Sequence, residues 1–222
     1  YNRLLEGKRV FVTTGARGIG KEIALLFANQ GATVAVGGKN IPCLNKTIEE
    51  LQKITPASRG YEVELGNEEN VLQVGKRVLE DFGGIDILVN TVGINNHGKI
   101  DETSEEQVER MISVNYKSFL RFSRMFVPGM RERKCGNIIN ISSIHGVQTM
   151  PGFGIYAGTK GAINATTRAM ALDYAEDGIR VNCICPGLIT SDNMVDEINT
   201  YSEGKERNEF MEFLYKMQPL EP

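Results

Sequence analysis

The sequence predicts an α/β fold: a single domain built on a doubly wound parallel sheet. Short runs rich in Val and Ile alternate with longer segments of helical period, and no stretch of linker composition interrupts them. Several of the short runs are apolar almost throughout, which is typical of strands covered by helices on both faces. Connections between such strands are right-handed, so a ligand site is expected beyond the carboxyl ends of the strands.

Six strands are predicted, in chain order, from the apolar runs. They are Val10–Thr13, Thr33–Val36, Gly60–Leu65, Ile85–Asn90, Asn137–Ile141 and Arg180–Ile184. Between them, residues such as Val71, Val74 and Val78 recur at the spacing that buries one stripe of a helix. Asn40, followed by Pro42, is typical of a helix start.

The composition narrows the class of protein and its partners. Of the 222 residues, 41% are hydrophobic and 24% are charged, as in an ordinary folded domain. The 25 basic and 28 acidic residues give a net charge of −3, and no basic tract indicates a nucleic-acid partner. No apolar run reaches the ~18 residues of a membrane span, so we expect no membrane partner and a cytoplasmic location.

The four cysteines predict neither a disulfide framework nor a metal site, because none of them belongs to a C-x-x-C pair. Cys183 and Cys185 flank Ile184 in an apolar run, so both side chains should face the same side of a strand. Packed free thiols are the favoured interpretation.

A glycine-rich turn, residues 13–20, follows the first predicted strand and leads into a helix. Backbone amides at the helix start can bind a pyrophosphate, and the glycines permit its close approach. The alternative is that Gly18 and Gly20 only let the helix pack closely on the sheet. No G-x-x-x-x-G-K-[ST] motif occurs in the chain, so a dinucleotide fits better than a nucleoside triphosphate.

Tyr156 and Lys160 are four residues apart and therefore lie on the same face of a helix. An ammonium group in that position favours the phenolate form of the tyrosine, which can then donate or accept a proton near neutral pH. An exposed amphipathic pair is the alternative interpretation. Ser143, after the fifth predicted strand, precedes the pair.

Together these motifs resemble those of the short-chain dehydrogenase/reductases, from Gly7 to about Leu220. The matching positions are the T-G-x-x-x-G-x-G turn at 13–20, the N-N-A-G at 90–93, the helix Asn at Asn115, the Ser at Ser143, the Y-x-x-x-K at Tyr156 and Lys160, and the P-G at Pro186 and Gly187. The resemblance implies one Rossmann-like NAD(P)-binding domain over residues 1–222, with 188–217 as a lid over the substrate. It also implies that a C-terminal helix and strand are missing from this sequence.

By that resemblance, the protein would interconvert a ketone and a secondary alcohol with NADP(H). Tyr156 would exchange the proton with the substrate oxygen, and Ser143 would bind that oxygen. Lys160 would bind the nicotinamide ribose and tune Tyr156, while Asn115 would order a water between Lys160 and solvent. The alternatives are an NAD-dependent sugar or polyol dehydrogenase and, less favoured, a non-catalytic dinucleotide-binding protein. The resemblance further implies a homodimer or homotetramer.

The resemblance places the cofactor against residues from most of the loops that follow the strands. These residues are Thr14, Gly15, Arg17, Gly18, Ile19, Gly20, Gly38, Lys39, Glu64, Leu65, Asn90, Gly93, Tyr156, Lys160, Pro186, Gly187, Ile189 and Ser191. Gly38 stands where NAD-preferring members have an acidic residue, so Arg17 and Lys39 are expected to bind the 2′-phosphate of NADP(H). NAD(H) is the alternative, with both cations solvated at the surface.

Two departures from the family pattern lead to further expectations. Thr14 replaces the first glycine of the turn, so the turn is expected to be tighter or differently routed, with weaker cofactor affinity. Thr91 and Val92 replace an Asn and an Ala, and this change is expected to be structural. His145, two residues after Ser143, lies in a Ser-Ser-Ile-His-Gly stretch that is similar to some sugar-oxidising members.

Overall fold

A parallel sheet of six strands forms the centre of the described part of the chain. The computed structural model describes residues 3–189 together with Asn208, Glu209 and Glu212. Its strands are β1 (Arg9–Val12), β2 (Thr33–Gly38), β3 (Arg59–Glu62), β4 (Ile87–Asn90), β5 (Gly136–Ile141) and β6 (Ile179–Ile184). Every predicted strand is present, and the largest difference is that β3 ends at Glu62 rather than Leu65.

The strand order in the sheet is β3-β2-β1-β4-β5-β6. The chain therefore winds outward from β1 to β3, crosses back, and winds outward again from β4 to β6. Val10 of β1 lies opposite Val34 of β2 on one side and opposite Ile87 of β4 on the other. This reversal opens a crevice at the carboxyl ends of β1 and β4. The doubly wound parallel sheet predicted from the sequence is confirmed.

Helices connect the strands and cover both faces of the sheet. They are α1 (Gly18–Asn29), α2 (Ile41–Ile54), α3 (Glu68–Phe82), α4 (Glu105–Ile112), α5 (Ser118–Glu132) and α6 (Gly154–Asp173). The predicted start of α2 is confirmed, because Asn40 accepts a hydrogen bond from the Cys43 amide at 3.0 Å and Pro42 lies in the first turn. A π-helical turn, Ser113–Lys117, joins α4 to α5.

Two apolar layers pack against the sheet, one on each face. On one face, the ring of Phe11 in β1 lies 5.1 Å from that of Phe122 and 5.6 Å from that of Phe126, both in α5. On the other face, Val10 and Val12 pack with residues of α1 and α2. Because side chains alternate along a strand, neighbouring residues of β1 enter opposite layers, which explains why the strand is apolar throughout.

An ion pair joins three elements at the amino ends of the strands, opposite the crevice. The Arg9 guanidinium donates hydrogen bonds to both carboxylate oxygens of Asp86, at 2.9 and 2.6 Å. It also donates to the carbonyls of Phe82 and Gly83 at the end of α3, at 3.3 and 3.0 Å. Burial raises the pKa of Asp86, but the hydrogen bonds from Arg9 outweigh this effect and bring the pKa below its ordinary value.

Candidate active site

Loops from separate parts of the chain meet at the carboxyl edge of the sheet. The Ser142 amide donates to the carbonyl of Ile184 at 2.8 Å, and the Ile144 amide donates to the carbonyl of Pro186 at 2.9 Å. These two bonds join the segment after β5, which contains Ser143, to the segment after β6. Residues predicted from distant stretches of sequence therefore lie beside one another.

The glycine-rich turn after β1 leads directly into α1, and its geometry requires glycine. Gly18 has a φ of +58°, in the left-handed region. A Cβ at Gly20 would lie 1.7 Å from the carbonyl oxygen of Thr14, so no larger residue fits there. Arg17, the residue before α1, does not cap the helix with its side chain, and the first turn carries no acidic residue. An anion such as a pyrophosphate fits this helix start.

Thr14 and Thr91, two of the residues that depart from the family pattern, contact each other between β1 and β4. The Thr14 amide donates to Thr91 Oγ1 at 3.1 Å, and Thr91 Oγ1 donates to the Thr14 carbonyl at 2.9 Å. Thr14 Oγ1 donates to the Thr91 carbonyl at 2.9 Å, and the two hydroxyl oxygens lie 2.8 Å apart. Sequence reasoning treated the two substitutions separately and missed this pairing. Their joint departure from the pattern was the available signal.

Gly38 and Lys39 lie at the end of β2, beside the residues that follow β3. A Cβ at Gly38 would lie 2.7 Å from the Cβ of Ala16, so this strand end is in close contact with the glycine-rich turn. The Lys39 ammonium forms an ion pair with the Glu64 carboxylate, and both side chains are exposed. A cavity of about 370 Å³ adjoins the pair. Both residues were expected to contact the cofactor, but their contact with each other was not expected.

Two residues expected to contact the cofactor turn their side chains into the interior. Asn90 Nδ2 donates to Asn140 Oδ1 at 2.9 Å, and Asn140 Nδ2 donates to Thr167 Oγ1 at 2.9 Å. This chain of hydrogen bonds links β4, β5 and α6. Leu65 is buried in the apolar layer that contains Phe11. Asn90 and Leu65 would therefore contact a cofactor through their backbone atoms.

The ammonium group of Lys160 is buried, with 2% of the residue exposed. Its Nζ donates to the carbonyl of Val92 at 2.8 Å and to that of Ile141 at 3.2 Å, so α6 is joined to the ends of β4 and β5. The same Nζ lies 5.6 Å from the centroid of the Tyr156 ring. Burial lowers the pKa of Lys160 to about 8, a shift that neighbouring Cys183 and Cys185 oppose. The predicted proximity of Tyr156 and Lys160 is confirmed.

Asn115 lies within the π-helical turn between α4 and α5, a deformation often found at functional sites. Its Oδ1 accepts from the Ile94 amide at 2.8 Å, and its Nδ2 donates to the Ile94 carbonyl at 2.9 Å. Nδ2 also donates to Thr159 Oγ1 at 3.1 Å. The side chain thus joins the loop after β4 to α6. Because both Nδ2 protons are used, a water bound to this side chain can only donate to Oδ1.

Ser143 is buried at the end of β5 and begins a 3₁₀ turn, Ile144–Gly146, in which its Oγ accepts from the His145 amide at 3.2 Å. The His145 ring lies 4.5 Å from the Phe153 ring and 5.6 Å from the Tyr156 ring. Its Nδ1 is 2.9 Å from Thr149 Oγ1, and burial lowers the pKa of the imidazole. Sequence reasoning did not find the role of Thr149 in orienting His145.

The remaining predicted residues border these groups. A Cβ at Gly93 would lie 3.2 Å from the Nζ of Lys160, so Gly93 gives the ammonium space. Pro186 and Gly187 follow β6 after one intervening residue, Cys185, and Ile189 is exposed. Ser191 lies outside the described residues, as does most of the expected lid at 188–217.

The sheet order, the glycine-rich turn and the buried lysine beside a tyrosine define a dinucleotide-binding oxidoreductase of the doubly wound class. The chain belongs to the short chain dehydrogenase family, which matches residues 8–202. The 3-oxoacyl-[acyl-carrier-protein] reductase FabG of Thermotoga maritima is 34% identical over 185 residues, covering 83% of this chain and 75% of that protein. This chain is therefore an NAD(P)-dependent dehydrogenase or reductase.

Solved structures of related enzymes share the fold. L-sorbose reductase from Gluconobacter frateurii, complexed with NADPH and L-sorbose, is 30% identical with a TM-score of 0.88, covering 98% of this chain and 84% of that one. A 7α-hydroxysteroid dehydrogenase complexed with NADH and 7-oxo glycochenodeoxycholic acid is 30% identical with a TM-score of 0.81, covering 90% and 80%. Nicotinamide dinucleotides of both kinds thus occur in similar proteins.

Two cysteines near the end of β6 contact the same side chain of α6. Cys183 Sγ and Cys185 Sγ contact the same Oδ1 of Asn164, at 3.2 and 3.5 Å, so the two thiols face the same side, as predicted. The described residues contain no cluster of three or more His, Cys, Asp or Glu residues arranged to bind a metal ion. In the same part of the chain, no helix combines the length and apolar character needed to cross a membrane.

Proposed function

We propose that this enzyme transfers a hydride between NADP(H) and a ketone or secondary alcohol, with Tyr156 as the general acid and base. The observation that carries the proposal is the buried Lys160 ammonium, 5.6 Å from the centroid of the Tyr156 ring. A positive charge with little access to water stabilises a nearby phenolate more strongly than an exposed charge does. The tyrosine can then exchange a proton near neutral pH.

In the reducing direction, a bound nicotinamide dinucleotide would supply the hydride that the carbonyl carbon accepts. The Tyr156 hydroxyl donates its proton to the carbonyl oxygen, and the Ser143 hydroxyl donates a hydrogen bond to the same oxygen. Lys160 stabilises the phenolate and binds the nicotinamide ribose. Asn115 fixes the loop after β4 and accepts, at Oδ1, a hydrogen bond from the water that connects Lys160 to solvent. The oxidation uses the same groups in reverse.

We place the dinucleotide along the carboxyl edge of the sheet. The uncapped start of α1 supports a pyrophosphate site at residues 15–20. Gly38, Lys39 and Glu64 would hold the adenosine end of the dinucleotide, and the loops at Gly93 and Pro186–Gly187 would hold its nicotinamide end. Thr14 has both of its donors engaged with Thr91, so we assign it to the shape of the turn rather than to direct binding of phosphate.

We propose that NADP(H) is the preferred dinucleotide. Gly38 places no carboxylate beside the adenosine ribose, and Arg17 and Lys39 supply cations for a 2′-phosphate. Because Lys39 is paired with Glu64 in the structure, the phosphate would take the place of that carboxylate on the ammonium. The NADPH complex of L-sorbose reductase supports this choice.

A second candidate function is that of an NAD-dependent sugar or polyol dehydrogenase. The observation that favours it is the His145 ring beside Tyr156, bound through Nδ1 to Thr149. A neutral imidazole in this position offers its other nitrogen to a substrate hydroxyl. The L-sorbose complex of a similar protein supports such a substrate class. A non-catalytic binding protein is disfavoured, because Ser143, Tyr156 and Lys160 are all present.

The proposed chemistry is tested by Tyr156→Phe, after simple ketones, sugars and polyols have been screened with both dinucleotides. Loss of the hydroxyl should lower kcat by roughly 10²–10⁴-fold, because it removes the proton-transfer group. The Kd for NADP⁺, measured by fluorescence titration, should change by less than about threefold. Tyr174→Phe serves as a matched control at the other end of α6 and should leave both values unchanged. Retention of most of the activity by Tyr156→Phe would contradict the mechanism.

We also propose that the enzyme is a cytoplasmic homodimer or homotetramer whose lid is formed by residues 188–217. Sedimentation equilibrium distinguishes these assemblies from a monomer.

A further inference from the structure

We infer that Thr14 and Thr91 act as one unit that sets the affinity of the enzyme for its dinucleotide. Thr91 is then a positioning residue, which acts on the cofactor through Thr14 without touching it. The inference rests on the proposed place of the pyrophosphate at residues 15–20. It concerns a pair that departs from the family pattern at both positions.

Both backbone groups of Thr14 are bound by the Thr91 hydroxyl. The amide of Thr14 donates to Thr91 Oγ1 at 3.1 Å, and its carbonyl accepts from the same oxygen at 2.9 Å. The Thr91 hydroxyl, 77 residues away in the chain, therefore binds both the amide and the carbonyl of Thr14. The Thr14 side chain returns a bond to the Thr91 carbonyl at 2.9 Å. Neither residue can shift without breaking bonds made by the other.

The pair of Thr14 and Thr91 lies against the start of α1. The Thr14 carbonyl that Thr91 binds is also the atom that a Cβ at Gly20 would meet at 1.7 Å. Thr91 Oγ1 itself lies 3.2 Å from that same Cβ position. The hydroxyl of Thr91 thus fixes a carbonyl that lies directly against the first turn of α1. A change in the position of this carbonyl displaces the amides proposed to bind the pyrophosphate.

A residue of α2 binds the turn from the opposite side. Thr47 of α2 is fully buried, and its hydroxyl donates to the carbonyl of Ala16 at 2.9 Å. The turn is therefore fixed by a threonine from the β4 side and by another from α2. Threonine is also conformationally stiffer than the glycine that the family pattern has at position 14. A turn fixed before binding loses less conformational entropy when the dinucleotide binds.

The experiment is a double-mutant cycle with Thr91→Val, Thr14→Val and the double variant, each of which keeps the side-chain shape and removes a hydroxyl. We expect each single variant to raise the Kd and the KM for NADP⁺ about three- to tenfold, with kcat within about twofold. The double variant should bind NADP⁺ more tightly than the product of the two single effects predicts, because each substitution loosens the same turn and the two hydroxyl oxygens lie in contact at 2.8 Å. Thr91→Ser, which keeps the hydroxyl, should bind like the wild type.

The matched control is Thr55→Val. The Thr55 hydroxyl also donates to a backbone carbonyl, that of Ala32, at 3.1 Å. This bond lies at the amino end of β2, away from the proposed cofactor site at the carboxyl ends of the strands. This variant should leave the Kd for NADP⁺ unchanged. If Thr91→Val does not fold, Thr91→Ala replaces it as the variant without the hydroxyl, and Thr14→Val still measures the effect of the Thr14 hydroxyl on binding.

Two outcomes would overturn the inference. In one, the effects of the single variants multiply in the double variant. In the other, Thr91→Val lowers the melting temperature while the Kd stays at the wild-type value, which would make the pair purely structural. The Kd for NADP⁺ of Arg17→Ala and Lys39→Ala tests the proposed placement of the cofactor independently of the threonine pair. If these two weaken NADP⁺ binding and Thr91→Val does not, only the inference fails; if none of them does, the placement itself is wrong.

Discussion

Burial of the Lys160 ammonium has a consequence for stability that depends on pH. The pKa of this group falls from 10.5 to about 8 in the folded protein, mainly because of burial. Between these two values the unfolded chain binds more protons than the folded protein, so the free energy of unfolding should rise with pH. Its slope from this group alone reaches at most about 1.4 kcal/mol per pH unit.

We expect the free energy of unfolding of the wild type, minus that of Lys160→Met, to rise with this slope. Denaturant unfolding from pH 7.5 to 10.5 measures both free energies. The difference removes the titration of groups that the two proteins share. Lys53→Met, which changes an exposed lysine, should run parallel to the wild type. Parallel curves for Lys160→Met would instead show that the ammonium keeps its ordinary pKa in the folded protein.

A single substitution in the Lys39–Glu64 pair tests the preference for NADP⁺ over NAD⁺. Glu64→Gln removes the carboxylate that competes with a 2′-phosphate for the ammonium. Because exposed ion pairs contribute about 0.2–1 kcal/mol, we expect the affinity for NADP⁺ to rise about two- to fivefold, with that for NAD⁺ unchanged. Titrations of both dinucleotides measure this, and Glu69→Gln on α3 controls for a general change of charge. An equal change for both dinucleotides would count against a phosphate site at Lys39.

At the scale of single residues, the sequence identified residue types better than it identified their partners. Gly38 was recognised from its position after a strand, but its contact with Ala16 depends on packing between two loops. An Asp introduced at Gly38 would therefore disturb the glycine-rich turn as well as the charge. The contact between Lys39 and Glu64 depends on the register of β2 and β3, which a single sequence does not specify for exposed side chains.

The ion pair of Arg9 and Asp86 joins β1 and the start of β4 to the end of α3. Asp86→Asn should lower the free energy of unfolding by about 1–3 kcal/mol at pH 7, since both charges are largely removed from water. The pKa of Asp86 is lowered in the folded state, so this contribution is complete above the unfolded value, near 4, and disappears as pH falls through the folded value.

Denaturant unfolding at pH 7 and at pH 3 and below measures the effect. The gap between the wild type and Asp86→Asn should shrink steadily in acid, whereas Asp101→Asn, at an exposed position, should match the wild type throughout. A gap that persists unchanged at the lowest pH would show that side-chain shape, rather than charge, is responsible.

Strands such as β1 and β4 were predictable because each is apolar over a run long enough to be covered on both faces. The helix at Ile41–Ile54 was predictable from the local chemistry of Asn40 and Pro42. The π-helical turn at Ser113–Lys117 was not predicted, because apolar residues four apart also occur along the stripe of a regular helix. The pairing of Thr14 with Thr91 arises only when β1 and β4 become neighbours in the sheet.

The two ends of the sheet differ in what they contribute: the amino ends contribute to stability and the carboxyl ends to the proposed chemistry. The ion pair of Arg9 and Asp86 lies at the amino ends, and the proposed chemistry lies at the carboxyl ends, separated by the length of the strands. Substitutions at Asp86 should therefore change stability while leaving the Kd for NADP⁺ at its wild-type value. The fold class was predictable for the same reason, since alternation of strands and helices is a property of the entire chain.

The π-helical turn makes the segment from Met111 to Met130 intolerant of changes in length. Its buried positions recur every four residues, as at Met111, Asn115 and Phe119. A regular helix has 3.6 residues per turn, so such a stripe would rotate away from the core by about 40° at each repeat. The wider turn at Ser113–Lys117 takes up part of that rotation. Loss or gain of a single amino acid here would separate the amide of Asn115 from its loop or the phenylalanines from their layer, so related sequences should align across this stretch without gaps.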